Sequence, residues 1–234
     1  MRIRFKFTKT GCMKFIGHLD VMRYFQKAIR RADLPVVYSE GFSPHMLMSF
    51  ASPLGVGKTS LGEYFDLDIS EGTVIDPAEA AARLQAQMAD GITVVSAVEV
   101  SMKKADKCMS QVAAADYTVR FREGKLNLPD HLLELAAAFT RQPSIEIMRK
   151  TKTSEKITDI RPWIYSFELE EGLVFSMKLA AGSIHNLKPE LVMDAFAAFS
   201  GFTIPAYTLM IQREEVYGEN SDGNLIPLSG FAIK

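Results

Sequence analysis

The first residues of the chain alternate strictly between basic and apolar side chains. Because successive side chains of a β-strand point to opposite faces, this period of two predicts a half-buried strand. The apolar face consists of Ile3, Phe5 and Phe7, and the basic face consists of Arg2, Arg4 and Lys6.

The segment from His18 to Asp33 has the spacing of an amphipathic helix that ends before Pro35. Its apolar positions recur every three or four residues. They predict a buried stripe of Leu19, Met22, Phe25 or Gln26, Ile29 and Ala32. The same helix carries a basic face at positions i, i+4, i+7 and i+8, formed by Arg23, Lys27, Arg30 and Arg31.

Further strands and a second helix complete a recognisable order in the first half. Two extended segments, 36–38 and 47–50, flank a GFSPH turn, and an alternating strand starts at Glu63. The second helix begins at Asp76 and Pro77, since aspartate caps a helix and proline suits its first turn. Residues 92–100 alternate again. The resulting order, β-α-β-β-α-β, is that of the ferredoxin-like fold.

The second half repeats this order with weaker patterns. Its predicted strands are 116–122, 144–150, 165–172, 173–180 and 208–214, with helices before the second strand and before the last strand. We therefore predict an α+β protein of two ferredoxin-like (split βαβ) units, with antiparallel sheets and helices on one face. The expected boundaries are 1–103 and 104–218, followed by a turn-rich tail over 219–234.

Composition limits the class of protein. No run reaches the roughly 18 apolar residues that a membrane span needs, and the start MRIRFKF lacks the apolar core of a signal peptide. We therefore expect a cytoplasmic protein with no membrane partner. Cys12 and Cys108 are isolated, so neither a disulfide framework nor a structural zinc site is indicated, and no cofactor is expected.

The net charge of -1 conceals an asymmetry. Residues 1–60 contain ten Lys or Arg and three acidic residues, which gives +7 there and -8 in the remainder. A basic half favours a polyanionic partner. The alternative is that these charges lie on ordinary solvated faces of helices and strands.

The string PLGVGKTS resembles the end of a phosphate-binding P-loop but fails its spacing. That motif needs a glycine five residues before Gly57, where this chain has Ser52. It also needs a following helix, whereas a strand is predicted here. Gly55 and Gly57 are interpreted as turn residues.

The segment YSEGFSPHM is a stronger candidate, because a glycine, a proline and a histidine occupy one short loop. His45 is able to act as an acid, a base or a ligand, and His18 starts the first helix together with Asp20. If the two histidines converge, Glu63 or Asp20 would orient a ring, giving an acid–base pair or, alternatively, a metal site. The opposing interpretation is that His45 only closes the loop.

A second basic segment, KTKTSEKITDIRPWIY, places cations beside rings that are able to stack on nucleobases. It contains Lys150, Lys152, Lys156, Arg161, Trp163 and Tyr165. The alternative is a basic hairpin whose tryptophan packs in the core.

The stretch FIGHLDVMRYFQKAIRRADLPVVYSEGFSPHMLMSFASPLGVGKTSLGEYFDL resembles the radical-SAM-associated protein family of unknown function. Members share a pattern like SHLD-x-x-R, then YS-x-GF-x-PH, L-x-x-G and a strand with a glutamate. The resemblance covers about residues 2 to 70 and continues weakly through KITDIRP and QREE. Gly17 stands where the pattern has serine, and Lys27 stands where it has arginine.

The resemblance implies a protein that acts beside a radical S-adenosylmethionine enzyme, with RNA or a ribosomal component as the leading substrate. This chain lacks a CxxxCxxC motif and is not that enzyme itself. Our leading hypothesis is an accessory subunit that binds RNA. Its candidate substrate-binding residues are Lys14, Asp20, Arg23, Arg30, Arg31, Ser39, Gly41, Phe42 and Arg161. The alternatives are a small RNA-directed enzyme that uses His18, His45 and Glu63, and a pure protein-interaction module.

Overall fold

The computed structural model describes residues 1–124, 126–150 and 155–233. The first part of the chain forms β1 (Arg2–Lys9), α1 (His18–Arg31), β2 (Met48–Phe50), β3 (Thr59–Asp68), α2 (Pro77–Gln85), β4 (Ile92–Val100) and α3 (Cys108–Gln111). The next part forms β5 (Val112–Phe121), α4 (Leu132–Thr140), β6 (Glu146–Lys150), β7 (Glu155–Asp159), β8 (Ile164–Glu170), β9 (Val174–Ala180) and α5 (Pro189–Phe199). The chain ends with β10 (Leu209–Glu219) and β11 (Leu225–Pro227).

These elements make a mixed α+β fold with a large, mostly antiparallel sheet. The chain divides into two compact units, 1–113 with 213–234 and 114–212. The segment 219–234, predicted as a tail, contributes β11 and buries Leu228, so in the structure it is part of the first unit. No helix in the described ranges is long and apolar enough to cross a membrane.

In the first unit, strands β4, β1, β3 and β10 are neighbours in that order, and β2 pairs with β3. The apolar side of β1 packs under the two helices, as the alternation predicts. This core contains Ile3, Phe5, Phe7, Phe25, Ile29, Phe65, Ala80 and Leu84. Asp76 caps α2 by accepting hydrogen bonds from the amides of Ala78 and Glu79 at 2.8 and 3.2 Å.

Two predicted features of this unit were wrong. The basic side of β1 does not face solvent, because Arg2 and Arg4 are buried in ion pairs with Asp68 and Asp66. Leu19 is 63% exposed, and the buried stripe of α1 is Val21, Phe25, Ala28 and Ile29. The first error arises because the pattern does not show which distant segments cover a face, and the second because a spacing of three or four residues fits more than one stripe on the same helix.

In the second unit, β5, β9 and β8 are neighbours in that order, and β6 pairs with β7 in a separate two-stranded sheet. Strand β7 was absent from the predicted elements, because its residues 155–159 do not alternate between apolar and polar side chains. Phenylalanine rings dominate the core between the strands and helices α4 and α5. The four that contact one another most directly are Phe139, Phe167, Phe175 and Phe196.

Gly62 of β3 lies against residues 214 and 215 of β10, where a side chain has no room. A Cβ atom added there would lie 2.6 Å from the Glu214 carbonyl oxygen and 2.8 Å from the Glu215 Cα. We expect Gly62→Ala to lower the free energy of unfolding by about 1 to 3 kcal/mol, since overpacking against backbone cannot relax easily.

Urea unfolding followed by circular dichroism measures this effect. Gly55→Ala is the matched control, because its Cβ would meet only the flexible Lys58 side chain at 3.6 Å. Equal stability of the two variants would contradict the close approach of β3 and residues 214–215.

Candidate functional site

The most exposed basic surface among the predicted site residues lies on α1. We call Arg23, Lys27, Arg30 and Arg31 the cationic face of α1, and all four are exposed. The helix is amphipathic, so packing of Phe25 and Ile29 into the core turns this face to solvent. Over eight residues the face extends about 12 Å along the helix.

The cationic face keeps most of its charge available. Arg23 forms a solvent-exposed ion pair with Asp20 at 3.3 Å, which water and salt weaken. Arg31 donates a hydrogen bond to the Gln87 carbonyl at 3.0 Å. Lys27 and Arg30 form no ion pair within the ranges that the structure describes. Asp20 therefore offsets part of the charge at one end only.

Lys14 lies in a short 3-10 helix, Gly11–Phe15, that precedes α1. Its ammonium sits 5.1 Å from the centroid of the Phe15 ring, and its carbonyl accepts a hydrogen bond from the Gly57 amide at 2.7 Å. The Phe15 side chain is exposed. The loop around Gly57 thus supports the segment that carries Lys14.

The loop from Ser39 to His45 is closed by these two residues. The Ser39 hydroxyl lies 2.7 Å from the His45 Nδ1 atom and accepts a hydrogen bond from the His45 amide at 3.0 Å. Gly41 has a φ of +104°, which glycine tolerates without strain, and Phe42 at the loop tip is fully exposed. The histidine closes the loop and also remains exposed to solvent.

His45 borders a cavity of about 380 Å³ in the first unit. Met46 and Met48 line its apolar part, and Lys104 and Lys107 add cations. The carboxylates of Asp66 and Asp68 in its wall are the ones paired with Arg4 and Arg2. The cavity therefore offers a thioether surface beside positive charge.

His18 has a different environment. Its ring makes an edge-to-face contact with Phe50, with ring centroids 5.4 Å apart. Phe50 is the last residue of β2, whereas His45 precedes the first residue of β2. His18 thus contacts the last residue of β2, whereas His45 lies three positions before the first residue of that strand and contacts Ser39.

A buried polar cluster lies near His18, formed by Lys9, Glu63 and Arg213. Arg213 binds the Glu63 carboxylate through two nitrogens at 2.7 and 2.5 Å and donates to the Ser52 carbonyl at 2.8 Å. Lys9 is 2% exposed and donates to the Ile16 carbonyl at 2.9 Å. Glu63, predicted as a catalytic carboxylate, is thus the partner of a buried arginine.

Burial lowers the pKa of His18 below its ordinary value of 6.5. The Glu63 carboxylate opposes this effect, and the Lys9 ammonium adds to it. Burial also lowers the pKa of Lys9. Since the fold favours the neutral imidazole, stability that His18 contributes above pH 6.5 is lost as the pH falls towards the depressed pKa.

Sequence reasoning missed Lys9 and Arg213 as members of this cluster. Arg213 is 150 positions from Glu63, so local patterns carry no sign of the pair. The weak continuation of the family pattern into QREE, which contains Arg213, was the available signal.

Arg161 belongs to the second unit and has an internal role. Its guanidinium donates to the carbonyls of Thr140 and Ile164, each at 3.0 Å, and so ties the end of α4 to β8. Lys152, predicted to lie in the same basic segment, falls outside the described residues. No group of three potential metal ligands occurs within the described part of the chain.

A family model described as an uncharacterized protein conserved in bacteria (DUF2344) matches residues 2–189. The chain belongs to that family. No curated protein matches it. A solved Cbf5-Nop10-Gar1 complex is structurally similar, with a TM-score of 0.48 and 11% identity over 91% of this chain and 49% of the other chain. The chain thus spans about half the length of that neighbour.

The electrostatics around His18 can be tested with Lys9→Met, which removes a buried charge at similar side-chain volume. We expect the pKa of His18 to rise, because the ammonium that disfavours the imidazolium is gone while Glu63 remains. An NMR pH titration of the histidine ring signals measures the change.

Lys14→Met is the control and should leave the pKa of His18 in place, since the Lys14 ammonium lies over the Phe15 ring. A fall in the pKa of His18 in Lys9→Met would show that the buried cluster is arranged differently.

Proposed function

We propose that this member of the family is an accessory protein that binds RNA, or a ribosome-associated substrate, through the cationic face of α1. The observation that carries the proposal is the exposure of Arg23, Lys27, Arg30 and Arg31 along one side of a single helix. Phosphate groups are the natural counterions of such a surface, since Lys and Arg gain affinity by releasing condensed counterions.

Other basic residues of the first unit are neutralised by ion pairs, which supports the choice of α1 as the binding surface. Arg2, Arg4 and Lys6 lie within the basic segment by sequence, but each is paired with a carboxylate. Among the described residues the cationic face of α1 has one such partner, Asp20, and that pair is exposed. Lys14 and the exposed Phe15 precede the same helix in the chain.

We further propose that the protein presents its RNA substrate to a radical S-adenosylmethionine enzyme. This part rests on the resemblance of residues 2 to 70 to the radical-SAM-associated pattern. We also infer that the first unit is ferredoxin-like. Its element order from β1 to β4, with β1 between β4 and β3 and with β2 against β3, supports that inference.

The acid–base alternative has less support than RNA binding. It requires the imidazoles of His18 and His45 at one substrate, whereas the His18 ring contacts Phe50 and the His45 ring contacts Ser39. Glu63, the third candidate, is neutralised by Arg213. We therefore base the proposal on charge and exposure, and catalysis is left to the partner enzyme.

Salt dependence provides a direct test of the charged surface. We expect Lys27→Gln combined with Arg30→Gln to weaken binding of a single-stranded oligoribonucleotide and to reduce the slope of log K against log salt by about 1 to 2 units, because two phosphate contacts are lost. Fluorescence anisotropy at several salt concentrations measures both quantities.

The matched control is Lys103→Gln combined with Lys104→Gln, two exposed lysines beyond the end of β4. This control variant removes two positive charges from the same unit. Its slope of log K against log salt should equal that of the unsubstituted protein. Equal slopes for both double variants would mean that general charge, and not the cationic face of α1, attracts the RNA.

The proposed partner can be separated from the RNA by co-purification from the native host. We expect the unsubstituted protein to retain both RNA and a radical S-adenosylmethionine enzyme. The Lys27→Gln/Arg30→Gln variant should retain the enzyme while its RNA yield falls. Absence of the enzyme from both preparations, with RNA present in the first, would leave RNA binding standing and refute the accessory role.

A further inference from the structure

Three side chains of the second unit form a stack at its surface. The ring of Trp163 lies almost parallel to the ring of His185, with centroids 4.8 Å apart and an interplanar angle of 27°. The guanidinium carbon of Arg149 lies 5.5 Å from the centroid of the Trp163 ring. We call Arg149, Trp163 and His185 the aromatic platform.

Each member of the platform comes from a different element. Arg149 is on β6, Trp163 ends the short 3-10 helix Arg161–Trp163, and His185 lies in the connection between β9 and α5. The 3-10 helix is held in place by the Asp159 carboxylate, which accepts the Arg161 amide at 2.9 Å. The position of Trp163 is therefore fixed by this hydrogen bond, and the His185 ring lies against the Trp163 ring.

The exposure of the platform distinguishes it from a core cluster. Trp163 and Arg149 are partly exposed, and His185 is exposed. One face of the His185 ring is turned to Trp163, and the residue as a whole is exposed. Ile184, next to His185, is 86% exposed. A planar group can thus continue the stack outward from His185.

The charge beside the platform is positive. Lys156 of β7 lies directly opposite Arg149 of β6 in the hairpin register, so the two side chains share one face of the hairpin. Lys156 is exposed. Flat rings next to two cations provide both components of single-strand recognition, since rings stack on bases and cations meet the phosphates.

We propose that the aromatic platform binds an unpaired nucleobase of single-stranded RNA, which stacks on the outer face of His185 while Lys156 contacts a neighbouring phosphate. Bases inside a duplex have no free face, so the ligand class is single-stranded. This inference rests on the RNA-binding function proposed above for the identity of the polymer. It assigns a second contact, in the other unit, that recognises bases and not only charge.

The test combines one binding measurement with one local probe. Oligoadenylate of eight nucleotides is titrated into the full chain at about 50 mM salt, with affinity read by fluorescence anisotropy. The ring signals of the four histidines are followed by NMR in the same titration. We expect the His185 signals to move upfield, because a stacked base places a ring current over them.

Two variants of His185 test whether RNA binding needs a flat ring at this position or only a side chain that covers Trp163. His185→Leu covers the tryptophan with an aliphatic side chain and should weaken binding roughly tenfold, a typical loss for one stacked base. His185→Phe restores a flat ring and should restore affinity. His131→Leu is the matched control, because His131 is an exposed histidine of the same unit outside the stack, and it should bind normally.

The outcomes distinguish this inference from the proposed function. Lys27→Gln/Arg30→Gln should lose affinity but still show the His185 shift at saturation. Normal binding with unmoved His185 signals, or equal affinities of His185→Leu and His185→Phe, would overturn the platform and leave the charged surface intact.

If the oligomer fails to bind, the proposed RNA function falls, and adenosine 5′-monophosphate at millimolar concentration becomes the probe. A His185 shift with the mononucleotide would uphold base stacking by itself, and unmoved signals would overturn the platform too.

Discussion

The first unit depends on charges that are buried beneath its sheet. Arg2 and Arg4 of β1 lie directly opposite Asp68 and Asp66 of β3, and each guanidinium binds both oxygens of its carboxylate. A guanidinium has five donors, so the remaining ones need acceptors that water no longer supplies. Those acceptors are the Ser101, Lys103, Asp106 and Leu228 carbonyls and the Gln111 side chain.

This requirement explains why the connection after β4 and the C-terminal segment pack on the polar side of the sheet. Asp66 also accepts a hydrogen bond from the Cys108 amide at 2.6 Å, which anchors the start of α3. The Cys108 thiol is buried, and burial raises its pKa, so it is an unreactive part of this packing. Removing one member of such a pair would cost about 3 to 5 kcal/mol, because its partner would stay buried and uncompensated.

The same pairs redefine where the first unit is basic. Counting along the sequence treats Arg2, Arg4 and Arg30 as equal, although burial and pairing remove the first two from any surface. Local patterns succeeded where neighbours in sequence decide the outcome, as for the extent of α1, the Asp76 cap of α2, and the apolar side of β1. They failed where a segment more than 60 positions away covers a polar face.

In the candidate site, too, the local contacts could be predicted from the sequence and the contacts between distant residues could not. The closure of the loop between Ser39 and His45 is local, and the sequence already indicates it through Gly41. The partner of Glu63 is not local, because Arg213 enters from the far end of the chain, and no spacing rule relates the two. Glutamate on a strand near a histidine is compatible both with catalysis and with a structural pair, and the distant arginine favours the structural pair.

Charge that remains exposed after all such pairs have formed is therefore a better guide to binding than charge counted along the chain. A basic side chain that forms no ion pair on folding keeps its hydration and its counterions. A polyanion is able to displace those counterions when it binds. Rings follow the same logic, since a ring with an uncovered face retains a stacking surface that core packing would have used. Lys27 and Arg30 of α1 meet the first condition among the described residues, and the second concerns His185, an exposed ring stacked on Trp163. Phosphates are the ligand proposed for the first, and unpaired bases are the ligand proposed for the second.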